Sequence, residues 1–177
     1  MAASRRPPSK SAKTAKLDRK GIVRFLSPEE RVRLLDALES REAEKRKGRV
    51  SANLWREERG YALLPEPGPG VFANHLKPMV LISLGTGVRR GELLQLRWER
   101  IDWKSLLIAI AGDTSKSGQT RYIPMNREVE RTLSQWWRQA GSPIEGLVFD
   151  SAGKPFVEVK TAWKRLLRSA GITAFRW

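Results

Sequence analysis

Apolar side chains recur at helical spacing in several stretches of the chain and crowd into short strand-like runs in others. The polar residues between them carry the punctuation. "SPEERVRLLDAL" offers Ser27 as N-cap, Pro28 at the first helical position and Glu30 three residues after the cap, the pattern of a capping box. Leu34, Leu35 and Leu38 then form a short buried stripe, while the following "ESREAEKRKGR" is charged all round and predicts a solvated stretch. "LLPEPGPG", residues 63–70, packs three prolines and two glycines together and predicts a break in regular structure. In "HLKPMVLISLG" Pro78 can open a helix that is nearly all apolar through Met79, Val80, Leu81, Ile82 and Leu84, hence central, and Gly87 can end it in the left-handed conformation.

The pattern then tightens. "RGELLQLRW" restarts a helix with Leu93, Leu94, Leu96 and Trp98 available for packing. "SLLIAIA", residues 105–111, and "RYIPM" are β-rich runs around the turn "GDTSKSGQT", a hairpin with Lys116 near its tip. Asn126 caps "REVERTLSQWWRQAG", with Val129, Leu133, Trp136 and Trp137 inward and Gly141 as terminator. "LVFD" reads as a short strand, and "VKTAWKRLLRSAG" as a last helix with Trp163, Leu166 and Leu167 at core spacing. No internal repeat is found. The expected class is α+β, mainly helical with a small hairpin or sheet.

Charge adds a partner to this picture. The chain holds 34 Lys+Arg against 19 Asp+Glu, a formal net charge of +15, which favours a polyanion. Residues 1–22 are basic and nearly free of apolar side chains and read as a disordered arm, with residues 23–177 as the ordered portion. The excess extends well beyond that arm. Zero cysteines exclude disulfides, iron–sulfur clusters and thiolate chemistry, and a single histidine, His75, argues against a zinc site, so neither metal nor cofactor is expected. No apolar run approaches the roughly 18 residues of a membrane span, and the start lacks the apolar core of a secretory signal. The reading is a soluble, cytoplasmic protein whose chemistry comes from Arg, Lys, Asp, Glu, Ser, Thr or Tyr.

One stretch fits that chemistry. "SLGTGVRRGELLQLRW", residues 83–98, sets two arginines between two core-forming segments, where an unpaired buried charge is expensive. "TGVRRGELLQLRWERIDW", followed about twenty residues on by "TSKSGQTRYIPM", resembles the catalytic domain of the tyrosine recombinases, the phage integrase family. The similarity covers roughly residues 24–177. It implies that Arg89 is the family's first catalytic arginine, on the scissile phosphate. It further implies that Glu92 is the acidic residue supporting the site, here as counter-charge to Arg89, and that Lys116 is the hairpin lysine that protonates the leaving 5′ hydroxyl. A guanidinium fork offers directed donors to phosphate oxygens as charge gathers on them, and an ammonium on a hairpin can reach a leaving oxygen without a metal. Arg90 and Arg121 are candidate DNA contacts, Arg121 alternatively a brace for the hairpin. Trp136 and Trp137 read as core, and His75 as structural or exposed.

The sequence also departs from the family. After "GITAFRW" the resemblance calls for a His-x-x-Arg box, a further His or Trp and a nucleophilic tyrosine, none of which lies in the 177 residues. Tyr61 and Tyr122 stand in other contexts, and no separate helical core-binding domain is apparent upstream. The expectation is a truncated catalytic domain that binds phosphate but does not cleave, with apolar surface left exposed on its central helix. The implied function is DNA integration and site-specific recombination on double-stranded DNA by a bacterial or phage-encoded, nucleoid-associated protein of a mobile element. Tetramers on DNA are the family expectation, although the segment that usually links protomers is not in this chain. The alternative is a non-catalytic basic DNA-binding protein derived from an integrase. RNA binding ranks lower, because the aromatic motifs of RNA-binding modules are missing.

Overall fold

The computed structural model describes residues 24–68, 70–112, 118–151, 153–156 and 159–177. The basic arm over 1–22 and the hairpin tip with Lys116 lie outside the described residues. The first helix, α1, runs Pro28–Glu57. It starts as the capping box dictates: Glu30 N donates to Ser27 Oγ at 3.2 Å, and Ser27 N donates to the Glu30 carboxylate at 3.1 Å.

The charged half of α1 is not simply solvated. Glu42, Arg46, Arg49, Asn53 and Arg56 recur at spacings of four and three, so they share one face, and that face carries a polar seam instead of an apolar stripe. Residues 61–68 and 70–73 run back along it. The side chain of Arg56 donates to Ala62 O, Asn53 to Leu64 O, Arg49 to Pro65 O, and Arg46 to the carbonyls of Pro67, Gly68 and Val71. Ala73 N donates to the buried Glu42 carboxylate at 2.6 Å. A proline-rich strap forms neither helix nor ladder, so its carbonyls need donors from elsewhere, and the long side chains of α1 supply them.

Helix α2, Leu76–Thr86, follows, with Pro78 in its first turn and Gly87 ending it at φ +66°. One side of α2 (Leu76, Val80) packs with Leu34, Leu38, Trp163 and Leu166, and the other (Met79, Ile82) with Leu93, Ile108, Ile110, Val129, Leu133 and Phe149. Two cores therefore share one central helix. Gly85 lets α4, Arg127–Gln139, approach closely, because a Cβ there would run into the Val129 side chain. The bare apolar face expected on α2 is not seen among the described residues. Leu81 and Leu84 are half-buried, and Trp177 packs at a tilt against Trp163 and donates from Nε1 to Ser83 Oγ at 3.0 Å.

The remainder differs from expectation in three places. Helix α3 spans only Arg90–Leu94, and Trp98–Arg100 form a separate 3-10 turn. The hairpin gains a third strand: β1 (Ile101–Asp102), β2 (Leu107–Ile110) and β3 (Arg121–Pro124) form an antiparallel sheet in that order, with Ile110 opposite Arg121. β1 is too short for periodicity to reveal; it is set by the Asp102 turn, whose carboxylate accepts from Lys104 N and Ser105 N at 3.0 Å each. "LVFD" is not a strand. Leu147 makes an isolated bridge to Arg97, Val148 and Phe149 are core, and the strand β4 is Asp150–Ser151, paired with β5, Lys154–Pro155. Helix α5, Lys160–Ser169, forms where its pattern predicts a helix and lies against α1, with Arg33 Nε donating to Ala170 O at 3.0 Å.

Candidate phosphate-binding site

The turn after α2 builds the site. Gly87 turns the chain out of the central helix, Val88 is buried, and Arg89 sits at the N-cap of α3 in extended conformation, φ −69°, ψ 146°. An arginine side chain has no acceptor for the helix's orphan N–H groups, so the cap is one-sided: the Glu92 carboxylate reaches back and accepts from Arg89 N at 2.9 Å. The same carboxylate accepts from Arg89 Nη1 at 3.1 Å.

The larger partner comes from 29 residues downstream. Arg121, the first residue of β3, donates from Nη1 to Glu92 Oε1 and from Nη2 to Glu92 Oε2, both at 2.7 Å. Four N–H donors therefore converge on one carboxylate, as many as its lone pairs accept. Glu92 is 3% exposed, and its pKa is lowered from 4.5 to about 2, first by the Arg121 hydrogen bonds and then, against the opposing effect of burial, by those of Arg89. Arg121 is raised in turn by the same contact. The carboxylate stays ionised at any neutral pH.

The two arginines are not equivalent. The Arg121 side chain is 35% exposed, and its terminal nitrogens are both engaged by Glu92. Arg89 is 63% exposed and gives Glu92 only one side-chain nitrogen, which leaves most of its fork facing outward. An outward guanidinium whose base is pinned by a buried carboxylate suits an anion with several oxygens, phosphate above all. Arg97 and Arg100, which pattern reading did not single out, line a small cleft of about 60 Å³ together with Glu92, Ala109 and Ile110. Their signal was only a pair of cations three apart just after α3.

Of the residues expected to act together, the fold brings Arg89, Glu92 and Arg121 into contact. Arg90 is exposed at the first position of α3, and its side chain makes no hydrogen bond or ion pair with another described residue. Lys116 lies outside the described residues, on the connection between β2 and β3. Tyr122 is 67% exposed, and strand alternation turns it to the opposite face of the sheet from Arg121. Tyr61 stacks on Trp55 at the far end of α1. His75 packs its ring on Phe156, with its pKa lowered by burial and by Arg41. Trp136 and Trp137 are half-buried against the core and donate to Val148 O and Pro143 O, which makes them structural. Among the described residues no His, Cys, Asp or Glu cluster could hold a metal ion, and no helix is long and apolar enough to cross a membrane.

Comparison with known proteins gives this geometry a context. Residues 64–176 match the sequence model of the phage integrase family. The integrase of Salmonella phage P22 is 28% identical over 112 residues, covering 58% of this chain and 29% of that protein. A shufflon-specific DNA recombinase of Escherichia coli is 31% identical over 83 residues, covering 47% of this chain and 19% of that protein. The chain thus spans less than a third of the length of either relative. Among solved structures, a XerA recombinase superposes with a TM-score of 0.55 at 21% identity, covering 88% of this chain and 46% of that one, which establishes the likeness of fold.

Proposed function

The chain belongs to the phage integrase family, and from that premise we propose that it acts in DNA integration and site-specific recombination, binding double-stranded DNA through its phosphates with Arg89 at the scissile group. What supports the reading is the node described above: a single outward guanidinium held on a buried, ionised carboxylate at the end of the central helix. In the proposed reaction a hydroxyl attacks phosphorus and gives up its proton to solvent, the bond to the 5′ oxygen breaks, and negative charge grows on the two non-bridging oxygens. Arg89 donates to those oxygens, Glu92 holds Arg89, and Lys116 gives its proton to the departing 5′ oxygen. Neither Tyr61 nor Tyr122 is assigned as the nucleophile. The protein works where DNA is accessible, in the cytoplasm.

The test is binding of the full chain to a labelled duplex across a salt series. Affinity falls steeply with salt, and Arg89→Ala lowers the slope of log K against log salt by roughly 0.9, the value for one lost phosphate contact. An unchanged slope in Arg89→Ala would remove Arg89 from the phosphate and the reading with it.

A further inference from the structure

We propose that Arg121 is a positioning residue: it does not meet DNA itself but, through Glu92, orients the guanidinium of Arg89. The proposal rests on the reading of Arg89 as the phosphate ligand. Its grounds are the competing demands of one carboxylate. Glu92 is buried, and both of its oxygens are held by protein donors. Arg121 answers that demand with the same pair of terminal nitrogens it would otherwise offer to a phosphate. This leaves Arg89 with one bond from its main chain and one from Nη1, and with its remaining donors in solvent. Were Arg121 removed, the Arg89 guanidinium would be the nearest group able to serve both oxygens, and turning inward to do so would withdraw it from the surface.

The location of Arg121 adds a second effect. It is the first residue of β3, opposite Ile110 of β2, so its bond to Glu92 ties the base of the β2–β3 connection to the helix that carries Arg89. Charge alone would not perform this task. Arg97 and Arg100 line the same cleft, yet neither hydrogen-bonds Glu92. The fork of Arg121 supplies directed bonds that a general positive field lacks.

The experiment is a double-variant cycle on the full chain with a short fluorescein-labelled duplex, comparing Arg89→Ala, Arg121→Met, the two combined, and Arg121→Lys. Arg121→Met is expected to weaken binding by about tenfold, as Arg89→Ala does, with the combined variant no weaker than Arg89→Ala alone. All three lower the salt slope by the same amount, roughly 0.9. Losses that multiply, with a second decrement in the slope, would put Arg121 on a phosphate and overturn the proposal. Arg121→Lys keeps the charge without the fork and is expected to bind as weakly as Arg121→Met; wild-type binding by Arg121→Lys would also overturn it. A readout independent of DNA covers the case in which Arg89→Ala binds normally and the functional reading falls. The nitrogen-15 guanidinium signals of Arg89, assigned by their loss in Arg89→Ala, are sharp in wild type and broaden in Arg121→Lys if Arg121 holds that side chain. Unchanged signals would refute the positioning role whatever the chain binds.

Discussion

Glu42 and Glu92 are both buried glutamates on arginine-rich helix segments, yet the fold uses them for different ends. At Glu42 one oxygen accepts the Ala73 N–H and the other has no hydrogen-bond partner among the described residues. The arginines that follow it along the same helix face, Arg46, Arg49 and Arg56, donate to neutral main-chain carbonyls of the strap. At Glu92 every acceptor position is engaged by an arginine donor, and one arginine keeps most of its fork in water. The first region turns positive charge into a clasp for the chain itself. The second leaves it available to an outside anion. Net charge therefore says that a polyanion is welcome, and only the hydrogen-bond partners say where.

Distance separates the two regions as well. A 30-residue helix is about 45 Å long, and the residues just before α1 line a cleft with Gly87 and Val88, beside the Arg89 turn. The strap is clasped at the other end. Variants in one region are thus expected to leave the other intact, which makes the contrast open to attack.

The largest effect is expected from Glu92→Gln. Two guanidiniums would then face a neutral amide in a site built for a carboxylate, and stability falls by about 2–4 kcal/mol, read from urea denaturation. Phosphate binding falls with it. A loss under 0.5 kcal/mol would mean that the node is a surface ion pair and not a structural one.

Acid sharpens the same point. The folded-state pKa of Glu92 is depressed from 4.5 to about 2, so its contribution is complete above about pH 4.5 and is lost as the pH falls toward 2. The difference in unfolding free energy between wild type and Glu92→Gln is expected to be flat above pH 5 and to shrink below about 4.5. A difference that stayed constant down to pH 3 would place the stabilisation elsewhere.

A smaller effect is expected from Arg46→Met, which removes three carbonyl contacts from the strap while keeping an apolar stem on α1. Stability drops by about 1–2 kcal/mol, and the affinity and salt slope for DNA change little beyond the loss of one distant charge. If Arg46→Met weakened DNA binding as much as Arg89→Ala, the division between clasp and anion site would collapse.

Much of this molecule was readable from local pattern. Ser27, Pro28 and Glu30 state the start of α1, Gly87 the end of α2 and Asn126 the start of α4, because caps and left-handed turns are decided by a few neighbouring residues. The pairing of Arg89 with Glu92 was legible for the same reason, being one helical turn in length. The fate of "ESREAEKRKGR" was not. Its polar residues look solvated in isolation, and only the return of residues 61–68 along the helix gives their donors carbonyls to bind.

The sequence by itself determined the kind of protein: a basic, mostly helical chain with a glycine turn that delivers an arginine between two core-forming segments. The tertiary structure decided which of the two arginines on Glu92 remains open. Arg89 and Arg121 are alike as letters, and the difference between them rests on how the buried Glu92 shares its acceptors between these two donors. One of those donors arrives through the antiparallel register that sets Arg121 opposite Ile110, a contact between residues far apart in the chain. Short-range spacing cannot encode such a meeting, because it depends on how the sheet packs against α3.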